Sequence, residues 1–235
     1  MKSLISFTLV LCLASATFFQ ACVEAEPSDL VDQDRIFTDY ELFYNENTDV
    51  TRATAIFRFG SGVTGTPLEL AGSSEVSFEG EMMVKKVEPI TNITYYVVEM
   101  AGKTSTGTFR WEDTEGTVYE NAITLVEIGY PADLPATLSR TESFTLTWDG
   151  TALGADESVA VTVDGPNAFN EKVFTQSAQG STSIILTKDK LDDIDPGEGK
   201  LFMDRNFSPE IMQAPGAGGR ITAKYRPVNP SITIE

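Results

Sequence analysis

From residue 36 onward, apolar and polar side chains alternate in short runs, and this alternation restricts the chain to β structure. The segment "ATAIFRF" places Ala55, Phe57 and Phe59 on one face, and "SVAVTVDG" does the same for Val159 and Val161. Period-two runs rich in Val, Ile, Thr, Phe and Tyr predict half-buried strands. Gly, Asp, Asn and Pro separate the runs at intervals of about ten residues, which is typical of antiparallel sandwiches. The predicted fold class is therefore all-β.

Two features divide this β region. The stretch "EVSFEGEMM" from Glu75 matches "TLTWDGTAL" from Thr145, each with an apolar aromatic residue, an acid and a turn glycine in succession. Between the two lies "EIGYPADLPATLSR", in which Pro131 and Pro135 interrupt strand pairing. We therefore expect two tandem antiparallel β-sandwich domains rather than one.

The predicted first domain covers residues 36–130 and the second covers residues 131–235. Each has roughly the size of an immunoglobulin-type sandwich. The second domain resembles the bacterial immunoglobulin-like domains of surface and periplasmic proteins in its short alternating strands, its apolar Trp148 and its lack of a cysteine pair. The resemblance implies an immunoglobulin-like β-sandwich for that half.

Composition excludes several functions. The formal net charge is −18, and no basic run is longer than Lys85-Lys86, so a nucleic-acid partner is not expected. Histidine is absent, which excludes Ser-His-Asp triads, HExxH zinc sites and an imidazole base. With 35 acidic residues, paired carboxylates occur by abundance and do not indicate glycoside hydrolysis. We expect no enzyme activity, no metal and no cofactor.

The amino-terminal segment predicts export. Residues 1–21 begin with Lys2 as their one charge, continue with a mostly apolar run and end at the small Ala21, as a signal peptide does. Cys22 follows directly, and "FQAC" resembles the lipobox of bacterial, Bacteroidota-type lipoproteins. That resemblance implies cleavage before Cys22 and a diacylglycerol lipid, with palmitate, on its sulfur. Cys12 lies in the removed segment, so the mature chain has no disulfide partner for Cys22.

The acidic stretch after the cysteine predicts a tether. Residues 22–35 contain five acids and Pro27, with no hydrophobic period, so we interpret them as a solvated link between lipid and fold. In Bacteroidota-type lipoproteins, such acids resemble the signal for transfer to the cell surface. We therefore place the protein at the bacterial outer membrane, on its cell-surface or periplasmic face.

Candidate binding residues are few. Trp111 and Trp148 could stack on sugars, but each follows apolar residues of its own strand face, which favours core packing. Tyr95 and Tyr96 are adjacent, so one of them is expected at the surface, and Tyr119 has no assigned place.

Two irregular segments are further candidate binding sites. The stretch "FSPEIMQAPGAGGR" from Phe207 to Arg220 is interpreted as a projecting loop, either flexible or a contact site. Four acids near "KDKLDDI" invite a calcium site, but Gly197 stands where an EF-hand loop needs a ligand, so a solvated turn is favoured. These acids are Asp189, Asp192, Asp193 and Asp195.

The combined expectation is a lipid-anchored envelope protein with a non-catalytic role in binding, adhesion or assembly. Its partners are the membrane, through the lipid, and an envelope protein or a glycan. The alternative is a carbohydrate-binding module of a surface glycan-capture system. The binding residues are not predicted by the sequence.

Overall fold

The structure is a computed structural model, and it describes residues 25–60, 62–167 and 169–235. Within these ranges the chain is nearly all β, which confirms the predicted fold class. The strands of the first half are β1 Glu26–Pro27, β2 Ile36–Asn45, β3 Val50–Phe59, β4 Thr66–Glu69, β5 Glu75–Phe78, β6 Glu81–Met82, β7 Val84–Val87, β8 Thr94–Ala101, β9 Thr106–Glu112 and β10 Val118–Thr124.

The strands of the second half are β11 Thr137–Leu138, β12 Phe144–Thr147, β13 Glu157–Asp164, β14 Lys172–Gln176, β15 Ser183–Leu186, β16 Gly197–Phe207, β17 Gly219–Arg226 and β18 Ser231–Ile234. Helical structure in the described ranges is limited to α1, Lys188–Leu191, and three single 3₁₀ turns. These turns are Ser28–Leu30, Gln33–Arg35 and Gly62–Thr64.

The predicted alternation sets which side chains are buried. Every second residue of β2 from Ile36 to Tyr44 is buried, and Val159, Val161 and Val163 of β13 are fully buried. The pattern breaks at the end of β3, where Arg58 is buried and Phe59 only partly so. The inward faces therefore follow period two over most of each long strand.

The first half packs two sheets around aromatic side chains. Strands β2, β3, β4, β7 and β8 belong to a twelve-stranded sheet, which is covered by a four-stranded sheet of order β10-β9-β5-β6. Tyr40 stacks on Phe109 at 4.8 Å between ring centroids, and Phe57 contacts Trp111 at 5.0 Å. Large aromatic rings bury much apolar area, so this cluster is the main hydrophobic contribution of the first half.

The second half packs β13, β14, β16, β17 and β18 of the same large sheet near a small β12–β15 sheet. Its core is aliphatic, with Val161, Met203 and Leu186 fully buried. Trp148 is also buried, and its indole N–H donates to the Thr151 carbonyl at 3.2 Å. The core-packing interpretation of Trp148 is therefore confirmed.

The two halves share one sheet across the predicted boundary at residue 131. Strand β17 pairs with β2 in parallel over eight residues, from Gly219 opposite Thr38 to Arg226 opposite Asn45. The buried residues of both halves also form a single hydrophobic cluster. Strand pairing and core packing therefore both continue over the predicted boundary, and the division into two tandem domains stays a prediction. The immunoglobulin-like topology of the second half stays a prediction.

Arg205 ties the second half to the end of the first. Its guanidinium is almost fully buried and forms an ion pair with Glu157. The same group donates to the carbonyls of Glu127 (3.3 Å), Thr151 (2.9 Å) and Ala152 (3.1 Å). A buried charge is tolerated when it is paired and hydrogen-bonded in this way.

The predicted tether is wrong for the residues that the structure describes, 25–35. Glu26 and Pro27 pair in parallel with Leu68 and Glu69 of β4. Ser28 is fully buried, and its hydroxyl accepts from the Ala71 N–H at 3.0 Å. This stretch lacks a hydrophobic period because polar side chains such as Ser28 hold it, and such bonds leave no periodic signal in a sequence.

Candidate binding surface beside strand β7

Strand β7 is exposed along its whole length. All four residues of "VKKV" are exposed, which holds for no other strand of four or more residues in the described ranges. β7 pairs with β8 on one edge, and no described strand pairs with its other edge. An unpaired, exposed strand edge is a template for pairing with another chain.

The side chains of β7 alternate between two environments. Val84 and Lys86 line a groove on the outer face of the sheet. Lys85 lies on the opposite face, where its ammonium contacts the Glu69 carboxylate at 2.5 Å. The exposed ion pair at Lys85 contributes little stability, about 0–1 kcal/mol.

The groove has a volume of about 410 Å³ and a cationic aromatic wall. The Arg52 guanidinium lies over the Tyr95 ring, 5.5 Å from its centroid. The Arg52 Nε is buried without a hydrogen-bond partner, and the guanidinium forms no ion pair with any described residue. Val97, Val98, Glu81 and Glu99 also line the groove. Glu99 lies opposite Arg52 in the strand pairing, but neither carboxylate is within ion-pair distance of the guanidinium.

Exposed apolar side chains cluster around the same strand. Met82 is 52% exposed, Val84 58%, Val87 46% and Ile90 92%. These four lie within nine residues of sequence, whereas most other exposed large apolar residues of the described chain are single. Val84 lies on the outer face and Val87 on the opposite face, so β7 presents exposed apolar side chains on both faces. Exposed apolar residues grouped around one strand indicate an interaction site more strongly than single ones do.

The adjacent tyrosines separate as predicted. Tyr96 is buried, its hydroxyl accepts from the Leu70 N–H at 2.7 Å, and burial raises its pKa to about 12. Tyr95 points outward into the groove. The prediction that one of the pair lies at the surface is therefore confirmed.

The other predicted aromatic candidates lie in the core. Trp111 is fully buried, and its indole N–H donates to the Ser74 hydroxyl at 2.9 Å. Tyr119 stacks on Trp111 at 5.0 Å, so one face of its ring is covered. Neither tryptophan offers a face to a sugar.

The loop from Phe207 to Arg220 does not project as an isolated binding loop. The Asn121 carboxamide, which is buried on β10, accepts from the N–H groups of Met212 (3.1 Å) and Gln213 (2.9 Å) and donates to the Gln213 carbonyl (2.8 Å). Farther along, the Gly216 N–H donates to Asp34 at 2.6 Å. The loop therefore joins the two halves, and the interpretation as a projecting flexible loop is wrong.

The acidic turn around α1 makes local contacts. Asp192 lies 3.7 Å from Arg140, Asp193 lies 3.1 Å from Lys172, and Asp195 accepts from the Asn167 side chain at 2.7 Å. Across the described ranges, no group of three or more acidic, histidine or cysteine side chains lies close enough to hold a metal ion.

The lipidation residue Cys22 lies outside the described residues, as does the predicted signal peptide. In the part of the chain that is described, no helix has the length and apolar character needed to cross a bilayer.

Sequence patterns do not identify Arg52 or Val84 as binding residues. Lys85-Lys86 is the longest basic run, and two valines flanking two lysines carry no pattern that assigns a buried face. Whether Arg52 has an ion partner among the described residues depends on side chains from distant segments, so no local sequence pattern predicts it.

Comparison with known proteins gives little guidance. No family model matches the sequence, and no curated protein is similar enough to match. Among solved structures, the Yersinia pseudotuberculosis adhesin InvE aligns at 12% identity, over 87% of this chain and 60% of that chain, with a TM-score of 0.25. A TM-score this low supports no conclusion about fold or function.

Proposed function

We propose that the chain is a non-catalytic binding protein of the bacterial cell envelope that engages a protein partner through the β7 surface. In this proposal a lipid on Cys22 holds it at the outer membrane. The β7 surface comprises strand β7, the exposed apolar residues around it and the groove beside it. The binding role is the general proposal, and the lipid anchor and the type of partner make it more specific.

One observation carries the binding role: β7 is exposed on both faces and at one edge, beside an arginine that has no ion partner among the described residues. A solvent-exposed strand edge with apolar neighbours is a liability for a protein without a partner. Lys85 and Lys86 fit the same view, because charged residues on an edge strand discourage unspecific pairing while leaving specific pairing available.

The glycan-binding alternative has less support. Sugar sites use exposed aromatic faces, and Trp111 and Trp148 are buried. Tyr95 is the aromatic residue in the groove, and the Arg52 guanidinium lies over its ring. A protein partner therefore suits this surface better than a sugar ring does.

The test is a pull-down from detergent-solubilised envelope with three forms of the chain: wild type, Val84→Asp and Ile185→Asp. Val84 and Ile185 are 58% and 56% exposed, so the two variants place the same charge at equally exposed apolar positions. We expect one protein to be retained by wild type and by Ile185→Asp and lost with Val84→Asp. Retention of the same protein by all three would contradict the proposed surface.

A glycan array on the same three forms addresses the alternative. We expect no specific sugar signal. Specific binding of one sugar by wild type that Val84→Asp abolishes would replace the protein partner by a glycan.

The lipid anchor is tested separately, because it does not depend on the β7 surface. Cys22→Ala is expected to take up no labelled palmitate and to remain uncleaved or appear in the soluble fraction. Normal labelling in this variant would contradict the lipoprotein assignment.

A further inference from the structure

The hydrogen-bond pattern of the β7–β8 hairpin determines which main-chain groups remain free. The Glu88 N–H donates to the Ile93 carbonyl at 2.9 Å, in the same register as the strand pairing that precedes it. In an antiparallel ladder, bonded and non-bonded residue pairs alternate. The N–H and C=O groups of Lys85 and Val87 therefore point away from β8, toward the open edge.

The same alternation places the groove side chains. Val84 and Lys86 share the outer face, and Lys86 lies opposite Tyr95 in the strand pairing. Arg52, on β3, adds a second cation to this face, and neither Arg52 nor Lys86 forms an ion pair with a described residue. An added strand would thus meet one apolar position, Val84, and one cation, Lys86, while the Arg52 guanidinium lies farther in, over Tyr95 of β8.

We infer that β7 accepts an extended segment of another protein as an additional strand. An acidic side chain of that segment faces Lys86, and an apolar side chain two residues away faces Val84. This inference rests on the proposed function and specifies its partner: main-chain bonds to Lys85 and Val87 supply affinity, and the groove supplies selectivity.

A second copy of this chain fits the edge poorly. If β7 pairs antiparallel with β7 of another copy about Lys86, the open-edge groups of Lys85 and Val87 bond across the pair and Lys86 faces Lys86. Like charges placed directly opposite each other destabilise a strand pair. The net charge of −18 adds repulsion between copies. A different protein is therefore the expected occupant.

The charges of the groove limit the acidity of the segment. Glu81 and Glu99 line the same groove as the two cations. A run of acids would meet these carboxylates, whereas one acid flanked by apolar residues would not. Because charges beyond about 8 Å are screened at physiological salt, the nearby cations outweigh the overall negative charge. We therefore expect a single acidic residue with an apolar residue two positions away, so that both side chains lie on the groove face.

The test uses the open-edge N–H of Lys85. Lys85→Pro removes this donor but breaks no bond to β8, because the Lys85 N–H points away from β8. Lys85→Ala is the matched control, since it removes the same side chain and its contact with Glu69 but keeps the N–H. Both variants are prepared as the full chain in detergent, and their melting temperatures are compared with that of wild type.

The probe is a displayed library of linear dodecapeptides selected on the wild-type chain. We expect enriched peptides to carry an apolar and an acidic residue two positions apart and to bind Lys85→Ala like wild type. Lys85→Pro should lower their affinity about tenfold, with a melting temperature close to that of Lys85→Ala. No enrichment, or equal binding to Lys85→Pro, would overturn the inference.

A charge reversal at Lys86 tests the inferred contact between Lys86 and an acidic side chain of the segment. Lys86→Glu is expected to lose the acidic peptides and to bind versions in which lysine replaces the acid. If the peptide preference does not change, the assigned contact with Lys86 is wrong.

The two proposals can fail independently. If the envelope partner is lost with Val84→Asp but retained by Lys85→Pro, the β7 surface binds a folded face and only strand addition is refuted. If Val84→Asp retains the partner, the proposed function itself fails.

Discussion

On the outer face of the large sheet, the side chains at the central β2–β17 junction differ sharply from those at the β7 end. At the β2–β17 junction, Arg220 donates two hydrogen bonds to Asp39, at 2.9 and 2.6 Å. Arg226 likewise donates two, both at 2.6 Å, to Asp204. At the β7 end of the same face, Arg52 has no carboxylate partner among the described residues.

The β2–β17 junction and the β7 end are connected by strand pairing through β3 and β8. Arg52 lies opposite Phe43, and Phe43 lies opposite Lys224, whose ammonium is 5.3 Å from the Phe43 ring centroid. One surface therefore goes from saturated ion pairs to open groups within a few strands. The difference indicates that the junction serves cohesion of the fold, while the β7 end keeps its charges and main-chain groups available.

The largest expected effect comes from Arg205, the buried residue that ties the second half to the end of the first. Arg205→Ala leaves the Glu157 carboxylate without its cation and removes one donor from each of three carbonyls. Removing one partner of a buried pair typically costs about 3–5 kcal/mol. Urea denaturation should show a loss of this size in the free energy of unfolding.

Lys86→Ala is the matched comparison at the open end. Lys86 is exposed and has no ion pair with a described residue, so its removal should change stability by less than about 0.5 kcal/mol. Equal losses in the free energy of unfolding for Arg205→Ala and Lys86→Ala would remove the contrast between the paired part of the fold and the β7 end.

A smaller loss of stability is expected when a methyl group is added at the β2–β17 junction. A Cβ added at Gly219 would lie 2.3 Å from the Thr38 Oγ1 and 2.8 Å from the Ile211 Cδ1. Gly219→Ala should therefore destabilise the chain by about 1–3 kcal/mol, as overpacking does. Thermal unfolding should show a single lowered transition if the halves are coupled, whereas a lowered transition in one half alone would contradict a shared sheet.

The smallest effect concerns Tyr44, which contacts Tyr225 across the junction at 5.4 Å. Burial raises the Tyr44 pKa to about 12, with help from its hydrogen bond to Asp49. The unfolded chain ionises first, near pH 10, so the stability from this group is present below pH 10 and lost toward pH 12.

Tyr44→Phe should cost about 1 kcal/mol at neutral pH through the lost hydrogen bond. It should also make the decline in stability above pH 10 less steep, which denaturation at several pH values would measure. An unchanged slope would mean that Tyr44 ionises alike in the folded and unfolded chain.

Local patterns predicted a large part of the fold, and non-local pairing explains the rest. Alternation assigned the buried faces of β2 and β13 because side-chain direction in a strand depends only on position. The match between "EVSFEGEMM" and "TLTWDGTAL" shows where local patterns stop predicting the structure. Glu79 and Gly80 both have positive φ and form a hairpin turn, but Gly150 follows an isolated bridge between Asp149 and Gly129.

The boundary and the site were less accessible from the sequence. The pairing of β2 with β17 joins segments at opposite ends of the described chain, and no local pattern encodes such a partner. Asn121 and Asp34 hold the Phe207–Arg220 loop through bonds that are equally non-local. The β7 surface is defined by missing partners, which only a folded chain reveals.

The most direct test of the account places a photo-crosslinking amino acid at Lys86 and, in a second strain, at Thr222 on the junction face. Both strains carry the full chain in intact cells. We predict that position 86 crosslinks to one envelope protein, that position 222 does not, and that adding Val84→Asp abolishes the product. No product at position 86, or the same product at both positions, would contradict the claim that the β7 surface is the binding site.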